Sequence, residues 1–332
     1  MSGLTMPRLV PRDLRPAFPQ HIPNDAVRSK LMELLGMDHV PTDVDFTAGV
    51  AREEDEVRVS PVSFRNSLGE AVPAVLMIPT TGPSDGLPGV VCMPGTGGSA
   101  DEVADPRLET ASPAGEVLGF GRELARRGFA TISVSIKGTV SRRESSQVWE
   151  QEAKFLVAYG RPQMGIIAEE ALRATRVLAA QDAVDATRIG LAGMSLGGLA
   201  TWYAMAVEPW IRAGVPVCGG LGSMASNIHH GLPDRSSSAI FLPHLLRYFD
   251  HPRIVATCIA PRPFMTVAPT EDEDMPREGV DELVHVVAPA YAATEHSERF
   301  KVYQPAGNHV FLVRYFEWMA RWFDRFLKDS VS

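Results

Sequence analysis

The feature that most restricts the fold is a short glycine-rich segment between two apolar stretches. Residues 193–198 read GMSLGG; the strand-like run RIGLA precedes them, and LATWYAMAV, with the composition of a buried helix, follows. Small neighbours allow a strand and a helix to pack closely around a strained residue at the turn. The segment matches the G-x-S-x-G pattern of a serine nucleophile at a strand-to-helix turn, which favours Ser195 as a nucleophile. An incidental serine in a glycine-rich turn is the alternative.

Strand and helix patterns alternate along most of the chain. Continuous apolar runs predict buried strands, and apolar residues at helical spacing predict helices. This alternation predicts an α/β fold with a mainly parallel, twisted sheet and helices on both faces. The predicted strands are 89–93, 129–135, 188–192, 213–217, 263–268 and 300–303, and the predicted helices are 26–37, 116–127, 164–180, 196–207, 279–295 and 311–327.

The domain organisation is predicted from changes in this pattern. Residues 1–53 form an N-terminal Pro-rich arm and helix, and residues 54–328 form one catalytic domain. Two strands joined by a turn at 66–69 open that domain as its antiparallel edge. Two segments, 137–163 and 219–252, interrupt the alternation after strands, where open α/β sheets bind ligands. They are predicted to form a small cap insertion around a pocket.

Composition excludes several classes of function. The net charge is −8 and no Lys/Arg run occurs, which argues against nucleic acid as a partner. No apolar stretch approaches the roughly 20 residues of a membrane-spanning helix, and the N-terminus lacks the apolar region of a secretory signal. The 3 cysteines are dispersed, as in a protein of the reducing cytoplasm. Because CxxC and HExxH motifs are missing, we expect no metal site.

A serine nucleophile needs a general base and a carboxylate that orients it. His309 follows the strand-like run FKVYQ and precedes the last helix, so it is the predicted base; a histidine of no special role is the alternative. The acidic run EDED at 271–274 follows the strand PFMTVA. Asp272 is the preferred carboxylate and Asp274 the second choice, giving the chain order Ser, Asp, His.

Two backbone N–H groups are needed for the oxyanion of the reaction. Leu196 directly follows Ser195, and Thr96 lies in the turn PGTGGS after the strand GVVCM. These two residues are the predicted donors. A phosphate-binding loop is the competing interpretation of this turn, but the P-loop lysine and the G-x-G-x-x-G spacing are missing.

These motifs resemble the acetyl xylan esterase and dienelactone hydrolase branch of the α/β hydrolases over roughly residues 54–328. Matching blocks include PGTGGS, GRELARRGFATISVS, VDATRIGLAGMSLGG and EDEDMPREGV. The resemblance implies the α/β-hydrolase fold and hydrolysis of a small-molecule carboxylic ester, such as an acetyl ester, through Ser195, Asp272 and His309 without a cofactor. The chain departs from the branch at Pro94, where the family commonly has histidine.

Other assignments are less constrained by pattern. Loop residues that we expect to contact substrate are Lys137, Arg142, Arg143, Trp149, His229, His230 and Phe241. Aromatic residues at helical spacing on the last helix suit core packing or a homodimer. The same three catalytic side chains also suit C–C bond hydrolysis, thioester hydrolysis or acyl transfer, because the pocket selects the substrate. A non-catalytic binding protein on a hydrolase scaffold is the second alternative.

Overall fold

The computed structural model describes residues 22–83, 86–142 and 149–328. Within these residues, ten strands form one sheet in the order β1-β3-β4-β6-β5-β7-β8-β9-β10, with β2 paired to β3. The strands are β1 (Phe46–Ala48), β2 (Arg52–Glu54), β3 (Val57–Arg65), β4 (Ala71–Pro79), β5 (Leu87–Met93), β6 (Ala130–Val134), β7 (Val184–Met194), β8 (Ala213–Val217), β9 (Phe264–Val267) and β10 (Phe300–Tyr303).

The sheet is antiparallel at one end and parallel elsewhere. Strands β3 and β4 form a hairpin whose turn is closed by Gly69 N–H donating to the Asn66 carbonyl, 2.9 Å away. Strand β4 also runs antiparallel to β6, whereas β6, β5, β7, β8, β9 and β10 are parallel to their neighbours. The predicted α/β sheet with an antiparallel edge is therefore confirmed.

Helices cover both faces of the sheet. Alternate residues of β5 enter different cores: Val91 and Met93 pack in one, and Val90 and Cys92 in the other. The first core contains α5 and α6, and the second contains α12. The helices are α1 (Val27–Leu34), α2 (Ala100–Val103), α3 (Phe120–Arg126), α4 (Trp149–Ala158), α5 (Gln163–Ala179), α6 (Leu196–Val207), α7 (Met224–His229), α8 (Leu232–Arg235), α9 (Leu245–Tyr248), α10 (His251–Ile254), α11 (Arg277–Ala292) and α12 (Val313–Phe323).

Two predicted helices begin later in the structure than the sequence pattern indicates. The helix predicted from residue 116 begins at Phe120, because Glu116 and Val117 pair as extended backbone with Leu312 and Glu109. The same pairing keeps Leu312 extended, so the last helix, predicted from residue 311, begins at Val313. Apolar spacing alone placed both starts too early, since it does not reveal backbone pairing between distant segments.

The N-terminal helix α1 packs against α6. Val27 and Leu31 are buried in the core that α6 shares, and Arg28 Nε donates to the carbonyl of Ala206 at 3.0 Å. The domain boundary at residue 53 stays a prediction. Over the part of the chain that the structure describes, none of the helices combines the length and apolarity needed to cross a bilayer.

The parallel strands place the functional candidates at one edge of the sheet. The segments that follow β5, β7, β8, β9 and β10 carry Thr96, Ser195, Cys218, Asp272 and His309 in that order. In open α/β sheets this carboxyl edge is where ligands bind.

Candidate active site

Ser195 lies at a sharp turn between β7 and α6. Its φ of 54° and ψ of −118° are strained for a residue with a side chain. A Cβ on Gly193 would clash with the backbone of Gly197, and a Cβ on Gly197 would clash with the carbonyls of Met93 and Pro94. The glycines therefore allow the turn, α6 and the end of β5 to meet, which lifts the Ser195 hydroxyl to the edge of the sheet.

His309 connects Ser195 with Asp272. Its Nε2 lies 2.9 Å from Ser195 Oγ, and its Nδ1 lies 2.9 and 3.0 Å from the two carboxylate oxygens of Asp272. An ionised carboxylate only accepts hydrogen bonds, so Nδ1 carries the proton of the neutral ring. Nε2 is then free of hydrogen and accepts the hydrogen bond from the Ser195 hydroxyl.

The Asp272 carboxylate is buried and has a second donor besides His309. The backbone N–H of Asp274 donates to Asp272 Oδ1 at 2.9 Å, and the Cys218 sulfur lies within 4.8 Å of one of the carboxylate oxygens. Asp274 itself is farther from the imidazole, with its Oδ2 3.9 Å from His309 Nδ1. Asp272, the preferred member of the acidic run, is thus the carboxylate that hydrogen-bonds to His309.

Burial and charge act in opposite directions on His309. Burial disfavours the imidazolium, but the hydrogen bond and charge of Asp272, together with the charge of Asp274, outweigh it, so the pKa of His309 is raised. A raised pKa makes the ring a stronger proton acceptor. Burial also raises the pKa of the Cys218 thiol, and the nearby Asp272 raises it further, so the sulfur is protonated at neutral pH.

A cavity of about 320 Å³ opens in front of these side chains. Thr96 and Leu196 lie on its wall together with Ser195 and His309, so the predicted oxyanion donors and the predicted nucleophile share one space. As the first residue of α6, Leu196 has no acceptor for its N–H within the helix. The apolar part of the wall is formed by Leu199, Met224, Leu232 and Ile240.

Lys137 and Arg142 do not lie beside the cavity. The Lys137 ammonium is buried between Glu70 and Glu152, 2.5 and 2.6 Å from their oxygens. Arg142 binds both oxygens of Glu170, at 2.8 and 2.9 Å. The structure therefore does not support the prediction that these two residues contact substrate: their charges are neutralised inside the protein.

The remaining predicted contacts also lie away from the cavity wall or outside the described residues. His229 is half-buried on α7 outside the wall, and His230 is exposed, with Nδ1 2.9 Å from the carbonyl of Ser226. Phe241 packs against the hydrophobic core, although its neighbour Ile240 reaches the cavity. Arg143 and the side chain of Trp149 are not among the described positions.

The two inserted segments have different relations to the cavity. Residues of 219–252 line it, including Gly220, Met224, Ser236 and Ser237, and most were missed because apolar and small residues carry no motif. The segment 137–163 supports this wall from behind: Glu150 accepts hydrogen bonds from Ser237 Oγ at 2.7 Å and from the backbone N–H of Ser238 at 3.1 Å.

One group of side chains could hold a metal ion within the described residues. Single ligand atoms of Cys218, Asp272 and His309 lie within 4.8 Å of one another. The three residues follow three different strands, so no short sequence motif could have identified them as a group.

Comparisons with known proteins agree with this architecture. A model of the Abhydrolase family matches residues 23–315. A Bacillus subtilis (strain 168) protein named "Putative hydrolase YtaP" is 27% identical over 291 residues, covering 85% of this chain and 92% of that protein.

Solved structures are similar at lower identity. A "putative acetyl xylan esterase" from Bacteroides fragilis NCTC 9343 has a TM-score of 0.69 at 18% identity, covering 92% of this chain and 84% of that one. An acetyl xylan esterase from Paenibacillus sp. R4 has a TM-score of 0.62 at 14% identity, covering 91% of this chain and 94% of that one. At such identities, these likenesses concern the fold alone.

The sheet, the strand-to-helix turn at Ser195 and these likenesses define an α/β-hydrolase fold. The chain belongs to the Abhydrolase family, whose model spans most of it. The predicted resemblance to the α/β hydrolases is confirmed.

Proposed function

We propose that this protein hydrolyses carboxylic esters through a covalent acyl-enzyme on Ser195. The observation that carries the proposal is the continuous hydrogen-bonded series from Ser195 Oγ through the His309 ring to Asp272, with 2.9 Å between heavy atoms on each side of the ring. Membership in the Abhydrolase family and the esterase names of structurally similar proteins support the same reaction.

His309 serves as the base of the first step. As Ser195 Oγ attacks the ester carbonyl carbon, its proton moves to His309 Nε2, and Asp272 stabilises the resulting imidazolium. Collapse of the tetrahedral intermediate breaks the bond to the alcohol oxygen, which takes the proton from Nε2. Water then repeats the sequence on the acyl-enzyme and releases the acid. No group beyond the three side chains and water is required.

The backbone N–H groups of Thr96 and Leu196 stabilise the oxyanion. Both residues line the cavity with Ser195, and a Cβ built on Gly95 would lie 3.7 Å from Ser195 Cβ, so the turn that carries Thr96 packs directly against the nucleophile. Leu196 adds the positive end of α6. A donor of this kind contributes about 3 kcal/mol to the barrier reduction.

The substrate is a small ester with a short acyl group, of which acetyl is the simplest. A cavity of about 320 Å³ is near the lower limit for small-molecule sites, roughly 300 Å³. Its apolar wall of leucine, isoleucine and methionine suits a few carbon atoms better than a polar acid.

The test replaces the nucleophile. Ser195→Ala is expected to lower kcat/KM for p-nitrophenyl acetate by roughly 10⁵- to 10⁶-fold, with an unchanged circular dichroism spectrum. A fluorophosphonate probe should label wild-type protein at Ser195, located by peptide mass spectrometry, and should not label the variant.

Ser297→Ala is the matched control, because Ser297 is an exposed serine outside the cavity. It should retain wild-type hydrolysis and labelling. Equal ester hydrolysis by Ser195→Ala and Ser297→Ala would contradict the proposal. The probe could label Ser195 although no p-nitrophenyl ester from acetate to octanoate is hydrolysed. That result would keep Ser195 as a nucleophile but would exclude these esters as substrates. Thioesters and alternative acyl acceptors would then be compared.

A further inference from the structure

The mechanism above does not use Cys218, although this residue lies beside Asp272. Cys218 directly follows β8 with a φ of 47°, and its backbone N–H donates to the Val267 carbonyl at 2.9 Å. Its thiol donates to the Val310 carbonyl at 3.8 Å, lies within 4.8 Å of an Asp272 carboxylate oxygen and borders the cavity. The hydrogen bond of its backbone N–H holds the main chain at this point, close to Asp272 and His309.

We propose that Cys218, Asp272 and His309 form an inhibitory site for Zn²⁺. A thiol, a carboxylate and an imidazole are the three ligand types that zinc binds in proteins. In this protein, one ligand atom of each lies within 4.8 Å of the others. All three residues lie in the segments that follow β8, β9 and β10, so the sheet brings them together before any ion is bound.

An ion requires modest shifts in both directions: the 2.9 Å distance between His309 Nδ1 and Asp272 Oδ2 must lengthen, and ligand atoms that lie up to 4.8 Å apart must move closer. Tetrahedral zinc with bonds of about 2.0–2.3 Å holds its ligand atoms roughly 3.5 Å apart. His309 presents Nδ1, since this is the nitrogen 2.9 Å from Asp272. The fourth position is open to water from the cavity or to Asp274, whose Oδ2 is 3.9 Å from the same nitrogen.

The protons and charges balance. Zn²⁺ displaces the proton of the Cys218 thiol, which leaves to solvent, and binds the thiolate and the Asp272 carboxylate, so the site becomes neutral. The Nδ1 proton of His309 moves to Nε2, and no oxidant or reductant takes part.

This tautomer accounts for inhibition. With hydrogen on Nε2, the ring can only donate toward Ser195 Oγ and cannot accept its proton. Zinc therefore lowers kcat, because the base of the first step is lost.

The test of the site uses Co²⁺ as a spectroscopic substitute for zinc and does not need catalysis. Wild-type protein titrated with Co²⁺ should show visible bands of tetrahedral cobalt and an ultraviolet thiolate-to-cobalt charge-transfer band. Added Zn²⁺ should displace Co²⁺ and abolish both bands. This exchange releases no further proton, because the Cys218 thiol already lost its proton when Co²⁺ bound. Cys218→Ser should lose the charge-transfer band. Cys258→Ser, which changes another buried cysteine, should retain it.

A second experiment measures inhibition by zinc, and it rests on the proposed esterase activity. Zn²⁺ should inhibit hydrolysis of p-nitrophenyl acetate reversibly, with EDTA restoring the rate and Mg²⁺ having no effect. Inhibition is compared with each protein's own uninhibited rate. Loss of a zinc ligand should raise the half-inhibitory concentration in Cys218→Ser at least roughly tenfold, because changes to outer-shell partners alone cost about 10- to 100-fold.

The outcomes separate this proposal from the proposed function. A cobalt–thiolate band in a protein whose hydrolysis does not depend on Ser195 would support the metal site and contradict the esterase mechanism. Ser195-dependent hydrolysis without a charge-transfer band in wild-type protein would overturn the metal site alone. Equal zinc sensitivity of wild type and Cys218→Ser would also overturn it, because the ion would then act elsewhere.

Discussion

Two of the places where the described chain buries carboxylates give them different partners. Glu170 is buried against Arg142, the backbone N–H of Lys137 and the amide of Asn66. Asp272 is equally buried but faces a histidine and a thiol. We refer to Glu70, Lys137, Arg142, Glu152 and Glu170 as the ion network, and to Ser195, His309 and Asp272 as the relay.

The difference lies in what the partner can do. Arginine and lysine stay charged near neutral pH, so the ion network is fixed and its hydrogen bonds are internal. Histidine changes charge near neutral pH, and His309 in the relay also reaches a cavity through Ser195. A buried charge by itself therefore does not identify a functional site. A buried carboxylate indicates such a site when its partner can change charge near neutral pH and also reaches a cavity.

After the loss of the nucleophile, the largest expected effect comes from changing the relay carboxylate. Asp272→Asn should lower kcat/KM for p-nitrophenyl acetate by roughly 10⁴-fold, because an amide donates to Nδ1 and stabilises the tautomer with hydrogen on Nε2. Steady-state kinetics on folded protein provides the measurement. Glu271→Gln, an exposed acid in the same loop, is the control and should stay near wild type. A loss below tenfold in Asp272→Asn would remove this residue from the relay.

The next effect is on stability, and it concerns the ion network. Lys137→Met should lower the free energy of unfolding by about 3–5 kcal/mol, because it leaves the buried Glu152 carboxylate without its cation. Urea denaturation measures the change. The kcat/KM of the folded fraction should stay within a few-fold of wild type.

Lys154→Met is the control for this change, since Lys154 is exposed on the same helix as Glu152. It should alter stability by about 0.5 kcal/mol or less. If Lys137→Met stayed as stable as Lys154→Met but lost activity a hundredfold, Lys137 would act on substrate after all, and the contrast between the two clusters would fail.

Much of the fold could be predicted from the sequence, because buried strands and helices have recognisable patterns of apolar residues. Strands β8 and β10 and helix α6 have the predicted limits. Strand β8 is a continuous apolar run, α6 is an apolar helical segment, and β10 is an apolar stretch interrupted only by Lys301. The start of α3 could not be predicted, since Glu116 extends its backbone to pair with Leu312, nearly two hundred residues away.

The site divides in the same way. Ser195 and His309 were identifiable because glycine-rich turns and strand ends mark them. Lys137 and Arg142 were assigned to substrate on charge and loop position, whereas their carboxylate partners come from a hairpin, α4 and α5. No motif marked Cys218 in the sequence, because its neighbours Asp272 and His309 are assembled by the topology of the sheet.

A smaller effect tests which of two adjacent residues contacts substrate. Ile240 lines the cavity and Phe241 does not. Ile240→Ala should raise the kcat/KM ratio of hexanoate to acetate p-nitrophenyl esters by roughly tenfold, because removing methylene groups makes room for a longer acyl chain. Phe241→Ala should leave the ratio unchanged even if it lowers stability. The reverse result would restore Phe241 as the contact and place Ile240 outside the acyl site.

The smallest effect concerns pH and the second acid of the loop. His309 must be neutral to accept a proton, so kcat/KM falls as pH decreases through its pKa, which lies above the ordinary value near 6.5. Asp274→Asn removes a negative charge that raises this pKa, although Asp274 contributes less than Asp272 does. The acid limb of the pH profile should therefore move to lower pH, and the variant should lose less of its own maximal rate at pH 6 than wild type does.

Glu271→Gln is the control for this shift, because Glu271 does not contribute to the raised pKa of His309. Its acid limb should coincide with that of wild type. At high pH, Asp274→Asn should hydrolyse esters nearly as fast as wild type, since Asp272 still orients the ring. An acid limb that stayed in place would mean that solvent screens Asp274 across the 3.9 Å to Nδ1, and a large loss at high pH would place Asp274 in the relay. The relay would then share its charge between two acids, as the ion network does.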